Sequence, residues 1–341
     1  MSFQHTSSNK KYILILMAVI ALAGVLYVVT GGALDFSRLG KTEKLPTDKE
    51  ENLAYGLAYR PASDHVLERD GIVLKSFGTM LRAQDLESGV CLDAASIEER
   101  SEKPIQRFSE YVGYFYLYDG ETVYRTTVSG DKLRATVEDC LKFEPMGDYI
   151  YSLKMERGEK KLFRCSIVGT YEKRLFKESV EDFWAYGGNL LLQLEDGRYR
   201  WYDVITQETV EHTLPDTARE IALEGEHIFY LAADETTKHT VLYRRPCNLQ
   251  EDKALPFSSV GDYCAAEGRI GANVQKEDGK NYAAWCQAEG GEVSMFGQKE
   301  FSAESEVDIS SKHLFVTEPD GTTYYTPLEK EEWSILFDDV G

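Results

Sequence analysis

The chain has 341 residues, 38 of them Lys or Arg and 58 Asp or Glu, for a formal net charge of −20. Its 43% hydrophobic content is enough for a packed core and excludes a disordered tail. The acidic balance excludes a nucleic-acid partner, because gripping phosphates takes clustered Lys and Arg.

Residues 1–11 form a short polar tail that ends in Lys10 and Lys11. Residues 12–34 then run without a single charge. A bilayer core is spanned by about 20 apolar residues as helix, so this run predicts one transmembrane helix and makes the lipid bilayer its partner. Tyr12 and Tyr27 fall toward its ends, at headgroup level. A cleaved signal peptide ending near Gly31-Gly32-Ala33 is the competing reading, but the apolar run exceeds the roughly 7–15 residues of a secretory signal. The nearest following cysteine is Cys91, which argues against a lipid-modified anchor. Basic residues flank both sides, with Arg38, Lys41 and Lys44 opposite the two lysines. Orientation therefore rests on layout: a short tail, one span and one large domain place the N-terminus in the cytoplasm and the domain outside. Residues 35–52, polar and containing Pro46, read as a stalk.

From residue 53 to 341 one pattern recurs: a turn glycine, an apolar or aromatic strand, a polar turn and another strand. The clearest copies are Gly147-Asp148-Tyr149-Ile150-Tyr151 with Leu162-Phe163-Arg164, and Gly225-Glu226-His227-Ile228-Phe229-Tyr230 with Leu242-Tyr243-Arg244. Seven copies begin at 71, 113, 147, 188, 225, 268 and 312, spaced 34 to 44 residues apart. Short runs rich in Tyr, Phe, Val and Leu are strand chemistry, and a helical solenoid would need 3.6-residue spacing instead. A period of about 40 residues with four short strands marks a propeller blade. The fold class is thus all-β, a seven-bladed β-propeller, with six and eight as the neighbouring counts. Asp119-Gly120, Asp196-Gly197, Asp278-Gly279 and Asp320-Gly321 read as hairpin turns between second and third strands. Asp85 to Gly89 and Asp203 to Thr206 read as turns between third and fourth strands.

The repeat, carried best by Tyr149-Ile150-Tyr151 with Leu162-Phe163-Arg164 and by Ile228-Phe229-Tyr230 with Leu242-Tyr243-Arg244, resembles a bacterial family of membrane-anchored propellers classed as a domain of unknown function. It is distantly similar to the YWTD propellers of the low-density-lipoprotein receptor family, although the Tyr-Trp-Thr-Asp tetrad is absent. The resemblance covers roughly residues 60–330. It implies the fold and an extracytoplasmic location, and it brings no catalytic residues.

Chemistry is sparse. The six cysteines (Cys91, Cys140, Cys165, Cys247, Cys264 and Cys286) form no C-x-x-C, and disulfides and buried thiols both stay open. The six histidines are scattered, without H-x-H or H-E-x-x-H, so no metal or cofactor is expected. His227 and His313 each open the second strand of their copy, where packing is the expected role.

An acid precedes the anchor of each copy: Asp64, Glu110, Glu144, Asp182, Glu220, Asp262 and Asp308. On innermost strands these could ring the channel mouth and attract a cation or a basic partner. Phe183, Trp184 and Tyr186, with Trp333, are the aromatic candidates for an exposed binding surface, and the charged connection 97–106 is the largest insertion. The expected function is non-catalytic binding or scaffolding of an envelope protein, peptide or glycan. The alternative is a glycan-active enzyme with carboxylates such as Glu110 and Asp182 as acid and base.

Overall fold

The computed structural model describes residues 63–337 apart from 129, 131, 235 and 250. The tail, the predicted membrane helix at 12–34, the stalk at 35–52 and residues 53–62 lie outside the described residues. Among the described residues no helix is long and apolar enough to cross a membrane.

Among the described residues twenty-eight strands build seven four-stranded sheets, at residues 66–96, 107–137, 140–174, 180–212, 219–254, 259–295 and 306–335, here blades 1 to 7. Each is an antiparallel meander with its strands in sequence order. The seven copies read from the sequence correspond to the seven blades. Every second strand begins one or two residues after its anchor position, as Ile72–Phe77 does after Gly71 and His227–Ala233 after Gly225. The first strands of blades 3 to 7 pack in turn on one another, and inner-strand residues of the seven blades line two adjoining cavities, here the central channel. These inner strands are Val66–Arg69, Arg107–Tyr111, Cys140–Met146, Val180–Tyr186, Arg219–Glu224, Ser259–Ala266 and Glu306–Ile309.

Burial explains why the second strands carry the plainest signal. A blade lies between two others, so its second strand meets protein on both faces. Ile72, Val73 and Leu74 are all 0% exposed, as are Leu190, Leu191 and Leu192, and Ile228, Phe229, Tyr230 and Leu231. A strand covered on both faces reads as an unbroken apolar run rather than an alternating one. The outer strands Arg134–Val137 and Lys173–Arg174 are mostly exposed and polar.

The four Asp-Gly pairs all lie between second and third strands. Gly120, Gly197, Gly279 and Gly321 have φ of 93°, 81°, 78° and 87°, a left-handed conformation that glycine adopts without steric cost. The preceding aspartates accept backbone N–H groups two or three residues on, for example Thr122 N–H to Asp119 Oδ1 at 2.8 Å. All six cysteines are free thiols, four of them buried.

The core divides into seven clusters, each filling one interface between adjacent blades. Six of these contain eight to fourteen buried side chains. The cluster joining blade 7 to blade 1 contains five: Val66, Val73, Phe315, Leu336 and Phe337. Among the described residues each terminal blade supplies its own four strands, and hydrogen bonds such as Phe337 N–H to Gln84 Oε1 and Lys75 Nζ to Gly321 O join the two.

Packing at the blade 6–blade 7 interface is tight at Gly271, where a Cβ would lie 2.6 Å from Leu314 Cδ1 and 3.1 Å from Val307 Cγ1. Gly271→Ala should therefore destabilise the propeller by about 1–3 kcal/mol through overpacking. The measurement is the urea midpoint at unchanged slope. A midpoint equal to that of the parent chain would show that these blades separate without cost.

Candidate functional site

The channel is built by inner strands, and their charges set its character. Three cross-blade ion pairs run in one direction around the first half of the ring. Arg69 of blade 1 pairs with Glu110 of blade 2. Arg107 of blade 2 reaches Glu144 of blade 3 at 2.5 Å, and Lys142 of blade 3 reaches Asp182 of blade 4 at 2.8 Å. Burial pushes the Lys142 ammonium down, and Asp182 opposes that shift. Lys142 Nζ also lies 4.6 Å from the ring centroid of Trp184, a cation–π contact.

The relay stops at blade 4, because the inner strands Val180–Tyr186, Ser259–Ala266 and Glu306–Ile309 contain no Lys or Arg. Blade 5 has Arg219, which pairs with its own neighbour Glu220. Between blades 4 and 5 the Tyr186 hydroxyl donates to Glu224 at 3.3 Å, and the Gly268 N–H of blade 6 donates to the same carboxylate at 2.9 Å. The acids of blades 6 and 7 are thus left without a cationic side chain from the preceding blade.

Those acids converge. Asp64, Asp262, Glu306 and Asp308 line one cavity of about 280 Å³ together with His65 and Tyr263. A second cavity of about 260 Å³ shares the wall from Asp262 to Ala265 and is lined on its other sides by Arg107, Lys142, Glu144, Trp184 and Glu220. Burial pushes the Asp308 carboxyl up to about 7 and that of Asp262 up to about 6, with the His65 imidazole opposing both. Asp308 is half-buried, and enclosure by protein disfavours its charged form. Asp262 accepts the Val307 N–H at 2.6 Å, and His65 Nδ1 lies 3.0 Å from Glu306.

Bulges sit at three of the acids. The register of the inner strand slips between Val180 and Asp182 in blade 4, between Arg219 and Ala222 around Glu220 in blade 5, and between Val260 and Asp262 in blade 6. An extra residue at such a point bends the strand and redirects the next side chain. In blade 6 that residue is Gly261, where a Cβ would stand 3.3 Å from the Ala303 carbonyl oxygen.

The seven predicted ring acids therefore divide. Asp64, Asp262 and Asp308 come together at one cavity, and Glu144, Glu220 and Asp262 line the other. Glu110 lines neither. Its side chain is 0% exposed and bound to Arg69 and to the Gly113 N–H. Glu110 is therefore buried rather than at an open mouth, and Asp182, 35% exposed at its side chain, is paired with Lys142.

Phe183 is corrected as well. It is 0% exposed and packs in the blade 3–blade 4 core, because adjacent residues on a strand face opposite sides. Trp184 is half-buried on the cavity wall, Tyr186 is half-buried on Glu224, and Trp333 packs on Phe296 and Phe301. The connection 97–106 is pinned by its buried ends, Ile97 N–H to Thr79 O and Ile105 N–H to Gly78 O. Glu306 and His65 were not singled out from the sequence; the signal for Glu306 was a second acid two residues before Asp308.

No family model matches the chain, and no curated protein does. Solved structures do. The chain is similar to a structure described as one of two prolyl endopeptidases, with 11% identity and a TM-score of 0.56 over 86% of this chain and 52% of that one. This chain therefore spans about half the length of that protein, and the likeness is one of fold alone. It is also similar to a putative TolB from Agrobacterium tumefaciens, at 11% identity over 67% of this chain and 90% of that one, TM-score 0.48. A third similarity is to the N-terminal domain of Nup159, at 10% identity over 84% and 93% of the two chains, TM-score 0.47.

Removing Arg69 isolates the buried Glu110 carboxylate. Arg69→Met should cost about 3 kcal/mol, the low end for a broken buried pair because Arg69 is itself 41% exposed. Burial already pushes the Glu110 carboxyl up, with Arg69 opposing. Without Arg69 the carboxyl rises further, so the loss grows as pH rises through its folded value and is smallest when Glu110 is protonated. Thermal melting from pH 5 to 8, with Glu110→Gln added to recover stability, tests this. A loss that is flat with pH would rule out the pair as the cause.

Proposed function

We propose that this chain is a membrane-anchored propeller of the cell envelope that binds a protein or peptide partner without catalysing a reaction, the acidic channel mouth receiving a basic group of that partner. In this reading residues 12–34 hold the chain in the bilayer, the N-terminus is cytoplasmic and the propeller is extracytoplasmic. The resemblance to membrane-anchored propellers of unknown function, and more distantly to the YWTD propellers, belongs to the same reading.

The observation that carries it is the convergence of four acids, Asp64, Asp262, Glu306 and Asp308, on one cavity of the ring. Convergent charge of one sign in a low-dielectric recess attracts the opposite sign and speeds encounter. Such a wall favours Lys or Arg side chains over a neutral glycan. The Trp184 face in the adjoining cavity adds a surface on which a guanidinium can stack.

A fluorescent Lys- and Arg-rich peptide titrated against the propeller, residues 53–341, tests the binding. Affinity should rise from pH 5 to pH 8, because Asp262 and Asp308 lose their protons across about 6 and about 7. It should fall with added salt, and Asp262→Asn with Asp308→Asn should weaken it about tenfold. Binding indifferent to salt and to both substitutions would sink the reading. Protease added to intact cells should digest the propeller, and full protection would reverse the orientation.

A further inference from the structure

Charge is not spread evenly over this protein. The chain holds 58 Asp and Glu against 38 Lys and Arg, yet residues 154–177 contain eight Lys or Arg and three Glu. They form the outer half of blade 3: the end of the second strand Tyr149–Glu156, its hairpin, the third strand Glu159–Ser166, the loop 167–172 and the outer strand Lys173–Arg174. Four of the cations are answered by acids. Lys154 pairs with Glu172, Lys160 with Glu181 at 2.8 Å, Lys161 with Glu159 at 2.6 Å and Arg174 with Glu156 at 2.7 Å. The following acid, Glu178, is turned to Arg200 of blade 4. Arg157, Lys173 and Lys177 are exposed, and among the described residues they make no ion pair. Lys173 also stands directly across the strand pair from Arg164, another cation outside any ion pair. Like charges facing each other in this way destabilise a sheet, and an anion from outside relieves them.

The same edge exposes large apolar side chains. Met155 is 52% exposed, Val168 46% and Tyr171 92%. Single apolar residues on a surface are ordinary, but here three of them accompany unpaired cations along one blade edge. The loop that presents Val168 and Tyr171 is pinned. Gly169 N–H donates to Ser166 O at 2.8 Å, and the Ser166 and Thr170 hydroxyls bond at 2.8 Å. A Cβ on Gly169 would stand 2.5 Å from the Thr136 carbonyl oxygen of blade 2. Tyr171 is thus held outward by a fixed loop.

We propose that the outer edge of blade 3 docks on a bilayer that bears anionic headgroups. Arg157, Lys173 and Lys177 meet the phosphates, while Met155, Val168 and Tyr171 enter the headgroup layer. This goes beyond the peptide-binding reading and does not rest on it, since none of these six residues lines the acidic cavities.

Shape and charge select a bilayer as the occupant. The apolar tips stand at the two ends of an edge spanned by the third strand, a separation of about 26 Å. A fluid surface accommodates tips at any spacing, whereas a protein groove must be built to match. Tyrosine suits the headgroup level, with its ring toward the apolar layer and its hydroxyl in water. Anionic lipid attracts Lys and Arg near its surface and repels an acidic one, so it turns this edge of the protein toward itself. Length permits the turn: residues 35–62 can reach as far as about 90 Å from a bilayer that holds residues 12–34.

Amide hydrogen exchange of the full chain in lipid nanodiscs, one chain per disc, tests the proposal. Peptides from 154–177 should exchange about tenfold more slowly in discs with about one third phosphatidylglycerol than in discs of phosphatidylcholine alone. Peptides from 227–246 of blade 5 should exchange alike in both. Arg157→Ser with Lys173→Ser and Lys177→Ser, all at exposed side chains outside any ion pair, should remove the difference. Tyr171→Ser should reduce it about threefold. Equal protection in both lipids, or protection that survives the triple substitution, would overturn the proposal. So would protection seen only with two chains per disc, which would make a second copy the occupant.

Discussion

A four-stranded antiparallel sheet with two apolar faces cannot exist alone in water, and the architecture of this protein follows from that. Each blade hides its second strand between two neighbours, and burying a single Leu, Ile or Phe in this way is worth roughly 1.5–3 kcal/mol. Three such residues per second strand make every interface indispensable and no blade independent. Stacking is satisfied only when the row closes into a ring. The last interface is then made between blades 7 and 1, joined by an apolar cluster and by hydrogen bonds such as Phe337 N–H to Gln84 Oε1.

Closing the ring creates a second problem along its axis. Inner strands meet around a channel in which charge is poorly solvated, and the first three blades solve this by handing a cation forward to the acid of the next blade. The sequence of blades 4, 6 and 7 has no inner-strand cation to continue the series. The channel is consequently lopsided, neutralised on the side of blades 2 to 4 and acidic where blades 6, 7 and 1 meet. Burial raises Asp262 and Asp308 on that acidic side, the feature on which the binding proposal stands.

Much of the fold was readable before any coordinates, and the physical reason is repetition. Apolar second strands recur seven times, six behind a turn glycine and the last behind Lys312, and the pattern survives the buried Ser152 and Asn273 of blades 3 and 6. The Asp-Gly turns were readable for the same local reason. The site was readable in half. The acids are visible as residue types, but their partners are not, since Arg107 and Glu144, like Lys142 and Asp182, lie a full blade apart in sequence. Phe183 was misplaced beside Trp184 because strand geometry sends neighbours to opposite faces, and the apolar neighbours of Phe183 belong to blade 3 as well as blade 4. The bulge at Gly261 leaves no distinct trace in composition. A glycine there reads as an ordinary turn residue until the Ala303 carbonyl is seen beside it.

The acidic recess and the closing interface lie side by side. Asp64 and His65 lead into blade 1, and Glu306 and Asp308 belong to blade 7, so the cavity they line with Asp262 of blade 6 has walls from the first and the last blade. A Lys or Arg of a partner entering that cavity would meet acids of both blades at once. A group that binds only the closed ring stabilises the closed ring, so binding at this recess and closure of the propeller are thermodynamically linked.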